Sequence, residues 1–237
     1  MPQVPCGTVS RGPSGPTRRV ESGRGTGLRY RLGVVDVTFW GEPESERDRR
    51  AREMGFEHID VLVDVDPGSL VLPVGCPTSY PKPRPGWCAT PAPRGGAEMW
   101  DAAVRWWRRS PGALLEPHTA GVVSSIETVR AIQAEVPGLR LLVDTGHVAD
   151  WGEDPLELLE HADHVQLRQG CPGSAQLHVD DPRGVVDFAA VLRRLDALDY
   201  QGCLSVEYFD LPDHGWPLDD PVSWAVDLRE HVAALMT

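Results

Sequence analysis

The 237-residue, 26.0 kDa chain has a 41% hydrophobic content, which is ordinary for a globular protein and too high for disorder throughout. It holds no apolar run of the roughly 18 residues that a membrane span needs, and residues 1–10 lack the layout of a secretory signal, so a cytoplasmic location is expected. The formal charge of −12 divides unevenly: residues 1–31 carry six Arg against one acid, while 32–237 carry 17 bases against 34 acids, a net −17 that argues against nucleic acid and favours a small ligand.

Residues 1–30 hold four Pro and six Gly among Arg, Ser and Thr, without hydrophobic periodicity. They read as a disordered basic tail, or as a misassigned translation start. From there the elements are expected in this order: strand 32–39, helix 44–54, strands 58–64 and 70–74, helix 97–109, strand 113–116, helix 125–135, strand 139–144, helix 155–161, strand 164–167, helix 186–198, strand 203–207 and helix 221–236. Ser124 and Glu127 have capping-box spacing, Gly55 and Gly138 stand where helices should stop, and Pro155 and Pro221 suit first helical turns. Strands alternating with helices imply a parallel sheet with crossover helices, and runs apolar on both faces imply buried strands. Residues 66–96, with 13 Pro or Gly in 31, interrupt the rhythm and read as a long loop over one end of the sheet. Five scattered Cys (Cys6, Cys76, Cys88, Cys171, Cys203) include no C-x-x-C pair and are expected as free thiols.

The chemistry concentrates at strand ends. Four apolar runs finish in a polar group: Glu116, Asp144, Gln166 and Glu207. In parallel α/β folds the ligand site lies at the carboxyl ends of the strands, so these four are expected to face a common pocket. Three carboxylates brought together repel unless a cation sits among them, which points to one divalent metal (Mn, Mg, Co or Zn). His147, three residues past Asp144, is a candidate ligand or substrate contact, and His118 and His178 are further candidates. Arg168 and Arg183 can anchor an anionic group, and Trp40, Trp151 and Trp216 can wall a sugar-like ring. His58, His161 and His231 lie within expected regular elements and read as structural, as do Trp100, Trp106 and Trp107 on one helix.

Glu116-Pro117-His118, Asp144-Thr145-Gly146-His147, His164-Val165-Gln166-Leu167-Arg168, Gly184-Val185-Val186-Asp187-Phe188 and Gly202-Cys203-Leu204-Ser205-Val206-Glu207 together resemble the xylose isomerase-like TIM barrels, the sugar phosphate isomerase/epimerase and endonuclease IV-like group. The resemblance implies a (β/α) TIM-type barrel over 31–237, abbreviated in its first half, after the tail at 1–30. It implies a divalent metal held by Glu116, Asp144 and Glu207, with Gln166 standing where the family has a His and His164 matching the first His of that pattern. His147 matches a family substrate contact.

The activity implied is that of a metal-dependent isomerase or epimerase of a sugar or related hydroxy-ketone, with Glu116 and Glu207 moving protons next to a metal-polarised carbonyl. A dehydratase of a keto-cyclitol or dehydroshikimate-like substrate would use the same groups. A degenerate barrel that binds a metabolite or protein partner is a third reading. A metal-dependent DNA-repair endonuclease is disfavoured by the −17 charge and by Gln166. The expected partner is a small polyhydroxy or keto substrate, with no nucleic acid and no membrane, and homo-oligomerisation is compatible with the sequence.

Overall fold

The computed structural model describes residues 29–61, 76–79, 89–92, 94–95, 97–110, 112–212 and 216–237. The expected strand over 70–74 and most of the expected loop over 66–96 lie outside these residues, as do residues 1–28 of the expected tail. Tyr30, at the tail's end, belongs to the folded part: its ring is buried in the core and its hydroxyl donates to Asp196 at 2.6 Å.

Ten short strands alternate with helices. They are β1 (Leu32–Val35), α1 (Glu44–Glu53), β2 (His58–Val61), β3 (Cys76–Ser79), β4 (Ala89–Pro91), α2 (Trp100–Arg109), β5 (Leu114–Glu116), α3 (Ile126–Glu135), β6 (Leu141–Asp144), α4 (Thr145–Asp150), β7 (Ala162–Leu167), β8 (Gln169–Cys171), β9 (Ser174–Leu177), α5 (Phe188–Ala197), β10 (Leu204–Val206) and α6 (Pro221–Leu235). Eight strands form one sheet in the order β3-β2-β1-β10-β7-β6-β5-β4, and β8 and β9 form a separate hairpin. Seven strands of the large sheet run parallel, and β3 pairs antiparallel with β2. Among the described residues no ladder joins β3 to β4, so the architecture is a (β/α) barrel abbreviated in its first half, as expected.

Strand alternation divides the side chains into two sets. Leu32, Val34, Leu141, Val143, Val165, Leu167, Leu204 and Val206 join one continuous core that includes Ile126, Val129, Ile132, Val191, Leu195 and Leu228 of the surrounding helices. The other set is polar in its centre. His58 on β2 meets Ser205 on β10 at 2.9 Å, and His164 on β7 meets Asp60 on β2 at 2.8 Å and Ser205 at 3.1 Å. The hydrogen bonds that its members make to one another across three strands offset part of the cost of burying them.

Several expectations shift. β1 ends at Val35, and Asp36–Phe39 is a buried 3-10 turn with Asp36 facing Arg47 of α1 at 3.3 Å. A continuous apolar run does not distinguish a strand from a buried turn. The helix expected over 155–161 is two 3-10 turns, Pro155–Glu157 and Leu159–His161, the first capped by Asp154 with Pro155 at its start. The capping box of α3 is built on Ser125 and Thr128 rather than Ser124 and Glu127: Ser125 Oγ accepts from the Thr128 amide at 3.1 Å, and Thr128 Oγ1 accepts from the Ser125 amide at 3.0 Å. Strands β3 and β4, helix α4 and the β8–β9 hairpin were not expected from the sequence. Gly55 and Gly138 end their helices with φ of +83°, a left-handed conformation that glycine adopts freely. No described helix is long and apolar enough to cross a membrane.

The interior leaves no room at Gly33 of β1, where an added Cβ would stand 2.2 Å from His58 Nε2. Gly33→Ala is expected to lower unfolding free energy by about 1–3 kcal/mol, the usual cost of overpacking, as measured by urea denaturation. An unchanged midpoint would mean that His58 yields without cost.

Candidate active site

The site forms where β5, β6, β7 and β10, consecutive in the sheet, deliver their carboxyl ends. Glu116 is the last residue of β5, Asp144 the last of β6, Arg168 follows β7 and Glu207 follows β10. All four are buried, with the two glutamates each 7% exposed and Arg168 0%.

The Asp144-Thr145-Gly146-His147 segment explains much of the geometry. Asp144 caps α4, accepting the Gly146 amide at 2.7 Å through Oδ1, and its Oδ2 accepts Arg168 Nη2. Thr145 Oγ1 clamps the Arg168 backbone, accepting its N–H at 2.9 Å and donating to its carbonyl at 2.8 Å. Gly146 lacks the Cβ that would stand 2.8 Å from Arg168 Nε and 2.3 Å from the Ala175 carbonyl, so the guanidinium stem and the β8–β9 hairpin can close over it. His147 turns inward, its ring 5.8 Å from His118 and 5.9 Å from Trp216. On the other wall Tyr208 donates to the Leu177 carbonyl at 2.7 Å and accepts from the Gln169 amide at 3.2 Å, which ties the residue after Glu207 to the hairpin.

The electrostatics follow from burial. Like charges 4 Å apart cost about 4 kcal/mol in an effective dielectric of about 20, so three neighbouring carboxyl groups do not all ionise unaided. Burial, reinforced by the Asp144 charge, pushes Glu116 up to about 8 against the pull of Arg168. Burial also raises Glu207 well above the usual carboxylate range, and as the protonated partner it hydrogen-bonds Asp144. Burial opposes the charge of Asp144 as well, but Arg168, the Glu207 hydrogen bond and the Gly146 amide hold it below the ordinary value. Burial drives His147 down to about 3, so its imidazole is neutral.

Glu116, Asp144 and His147 bring ligand atoms within 4.8 Å of one another, a set able to hold a metal ion. Gln166, opposite Asp144 in the β6–β7 register, adds a buried Oε1 with no hydrogen-bond partner. Two carboxylates, a neutral imidazole and an orphaned amide oxygen are a fit donor set for a divalent cation.

The remaining candidates separate. His118 adjoins the cluster with both ring nitrogens engaged, Nε2 with the Ala92 carbonyl at 2.7 Å and Nδ1 with the Ala120 amide at 3.3 Å, which makes it a wall rather than a ligand. His164 belongs to the interior network with Asp60. His178 stands apart, 3.0 Å from Asp227 of α6 and edge-on to Trp224, because the chain after β9 runs outward toward that helix. Trp40 is 55% exposed, and Arg183 pairs with Asp181 at 2.7 Å on the surface. Sequence reasoning did not select Phe209, whose ring lies 5.0 Å from the Arg168 guanidinium, or Gln176, whose Oε1 lies 3.4 Å from Arg168 Nη1. Gln176 lies on a strand whose alternation was legible only after the hairpin was seen.

Residues 23–233 match the family model described as Xylose isomerase-like TIM barrel. Among solved structures, D-allulose 3-epimerase from Methylomonas sp. aligns at TM-score 0.59 and 16% identity, over 86% of this chain and 96% of that one. The 3-keto-D-glucoside 4-epimerase YcjR from E. coli aligns at 0.57 and 14%, over 87% and 100%. The probable 3-DHS dehydratase AsbF from Bacillus anthracis aligns at 0.56 and 13%, over 84% and 97%. No curated protein matches the sequence.

The pKa shifts set a pH window. Glu116 rises from an ordinary 4.5 to about 8, so between those values the folded state holds a proton that the unfolded chain releases, and stability falls as pH rises. His147 acts oppositely between about 3 and 6.5, which leaves pH 6.5 to 8 as the window in which Glu116 acts unopposed. The metal-free protein is expected to lose melting temperature across that window, with Glu207, whose pKa is also raised, acting in the same direction, and Glu116→Gln is expected to reduce the slope. A thermal scan in which the variant keeps the full slope would show that Glu116 is not among the titrating groups.

Proposed function

The chain belongs to the xylose isomerase-like TIM barrel family, and from that premise we propose that it is a cytoplasmic, metal-dependent isomerase or epimerase of a sugar or related hydroxy-ketone. The observation that carries this reading is the buried pair Glu116, which ends β5, and Glu207, which follows β10, on either side of the β6 and β7 strand ends with Asp144 between them. Epimerisation removes a proton on one face of a carbon and returns it on the other, and isomerisation moves one between neighbouring carbons; either needs two acid–base groups approaching from different sides.

Glu116, Asp144 and His147, with Gln166 Oε1, would hold the metal. A divalent cation held there would polarise a carbonyl and the adjacent hydroxyl and lower the cost of removing the proton between them. Glu116, ionised once a cation sits beside it, would accept that proton at a carboxylate oxygen. Glu207, which holds its own proton against Asp144, returns one from the opposite side. Neutral His147 hydrogen-bonds a substrate hydroxyl or completes the ligand set, and the Trp216 ring walls the pocket beside it. Burial of the whole group excludes water from the transfer.

Two epimerases among the structures of like fold accord with this reading. The dehydratase among them supports a second one, in which the same proton abstraction is followed by loss of a β-hydroxyl.

Incubation of the Mn²⁺-loaded protein with a panel of ketoses and keto-cyclitols in D₂O is the test. Deuterium uptake at the carbon next to the carbonyl, without loss of water, is expected, and chelation should abolish it. Glu116→Gln and Glu207→Gln should each slow exchange by about 10²- to 10⁴-fold. An enone-like absorbance would select the dehydratase, and no exchange with any metal would leave a barrel that binds without turnover.

A further inference from the structure

Arg168 is built into the site with unusual care for a side chain of its length. Its guanidinium is fully buried, with Nη2 bonded to Asp144 Oδ2 and 3.2 Å from Glu207 Oε2. Its stem fills the space left by the missing Cβ of Gly146, and its charge faces the Phe209 ring at 5.0 Å. Nη1 reaches Gln176 Oε1 at 3.4 Å, and Gln176 is itself fixed by the Phe209 backbone, accepting its N–H at 3.1 Å and donating to its carbonyl at 3.1 Å.

The Asp144 oxygen that Arg168 occupies is the one a metal would need. Asp144 Oδ1 is committed to the Gly146 amide, so Oδ2 is its free ligand atom, and that atom already accepts from Nη2. Glu207 Oε2 lies against the same nitrogen. A divalent cation among Glu116, Asp144 and His147 would stand beside a guanidinium, and two cations sharing one carboxylate oxygen repel strongly in a buried site. The arginine pose is also incomplete, since Nε is buried without a partner. An unmet donor of this kind lowers the cost of leaving the pose.

We propose that the Arg168 guanidinium and a divalent metal compete for Asp144 Oδ2, so that the chain carries its own competitor for the metal. This rests on the reading of Glu116, Asp144 and His147 as a metal site. Without metal, Arg168 supplies the cation that holds the strand ends together. Metal binding displaces the guanidinium from Asp144, and the apparent affinity is set by the difference between the two occupancies.

The test is isothermal titration of Mn²⁺ into the metal-free full chain and its Arg168→Gln and Arg168→Lys variants. Arg168→Gln is expected to bind one equivalent at least about tenfold more tightly than the wild type, with Arg168→Lys between them. Equal or weaker binding by Arg168→Gln, with the wild type still binding, would overturn the competition and leave the metal site standing. No binding by any of the three would remove both.

A measurement on the wild-type chain covers a variant that does not fold. The Arg168 Nε–H resonance, followed in a ¹⁵N spectrum, should shift and lose its protection from solvent exchange as Zn²⁺ is added to one equivalent. A resonance that stays fixed at saturation would overturn the proposal.

Discussion

The structure depends on one electrostatic constraint: three carboxyl groups are carried into a buried space by strands that cannot avoid bringing them together. Glu116 ends β5, Asp144 ends β6 and Glu207 follows β10, and the sheet order places those strands around β7. In that environment an isolated carboxylate is costly, and neighbouring ones compound the cost. The chain answers with Arg168 on the intervening strand, bonded to Asp144 and close to Glu207. Protonation of the two glutamates completes the balance, so the group can be nearly neutral without an external ion.

Much of the surrounding structure reads as support for that arrangement. Thr145 fixes the Arg168 backbone, Gly146 admits its stem, and Phe209 and Gln176 line its guanidinium. The β8–β9 hairpin, held by Tyr208, closes the side where the stem would otherwise meet solvent. Below the carboxylates the interior stays polar, with His58, Asp60, His164 and Ser205 paired across β2, β7 and β10. Among the described residues the interior thus pairs a hydrogen-bonded cluster with buried Leu114 and Leu142, instead of the layers of branched apolar side chains usual in this architecture.

The abbreviation of the barrel does not reach the site. The break in the described sheet lies between β3 and β4, whereas the four strands that carry the acid–base groups are consecutive and fully parallel. That break is compatible with a formed active end, because each strand end is positioned by its two immediate neighbours.

By itself the sequence determined the alternation of strands and helices, the parallel sheet, and the placement of Glu116, Asp144, Gln166 and Glu207 at strand ends. These are local properties: a run of apolar residues ending in a polar one reports its own geometry, and Pro155, Pro221, Gly55 and Gly138 punctuate the chain without outside help. What the tertiary structure decided was which groups meet. His118, His147 and His178 look alike in sequence, yet a backbone carbonyl holds the first, the carboxylate cluster receives the second, and Asp227 of α6 draws away the third. Ser125 and Thr128 replaced the expected cap because cap geometry depends on the entry angle of the chain, not on spacing alone. Arg168 could be read beforehand as an anchor for an external anion. Only the convergence of four strands showed that its anions are internal, since Coulomb interactions depend on distance through space and the sequence records only distance along the chain.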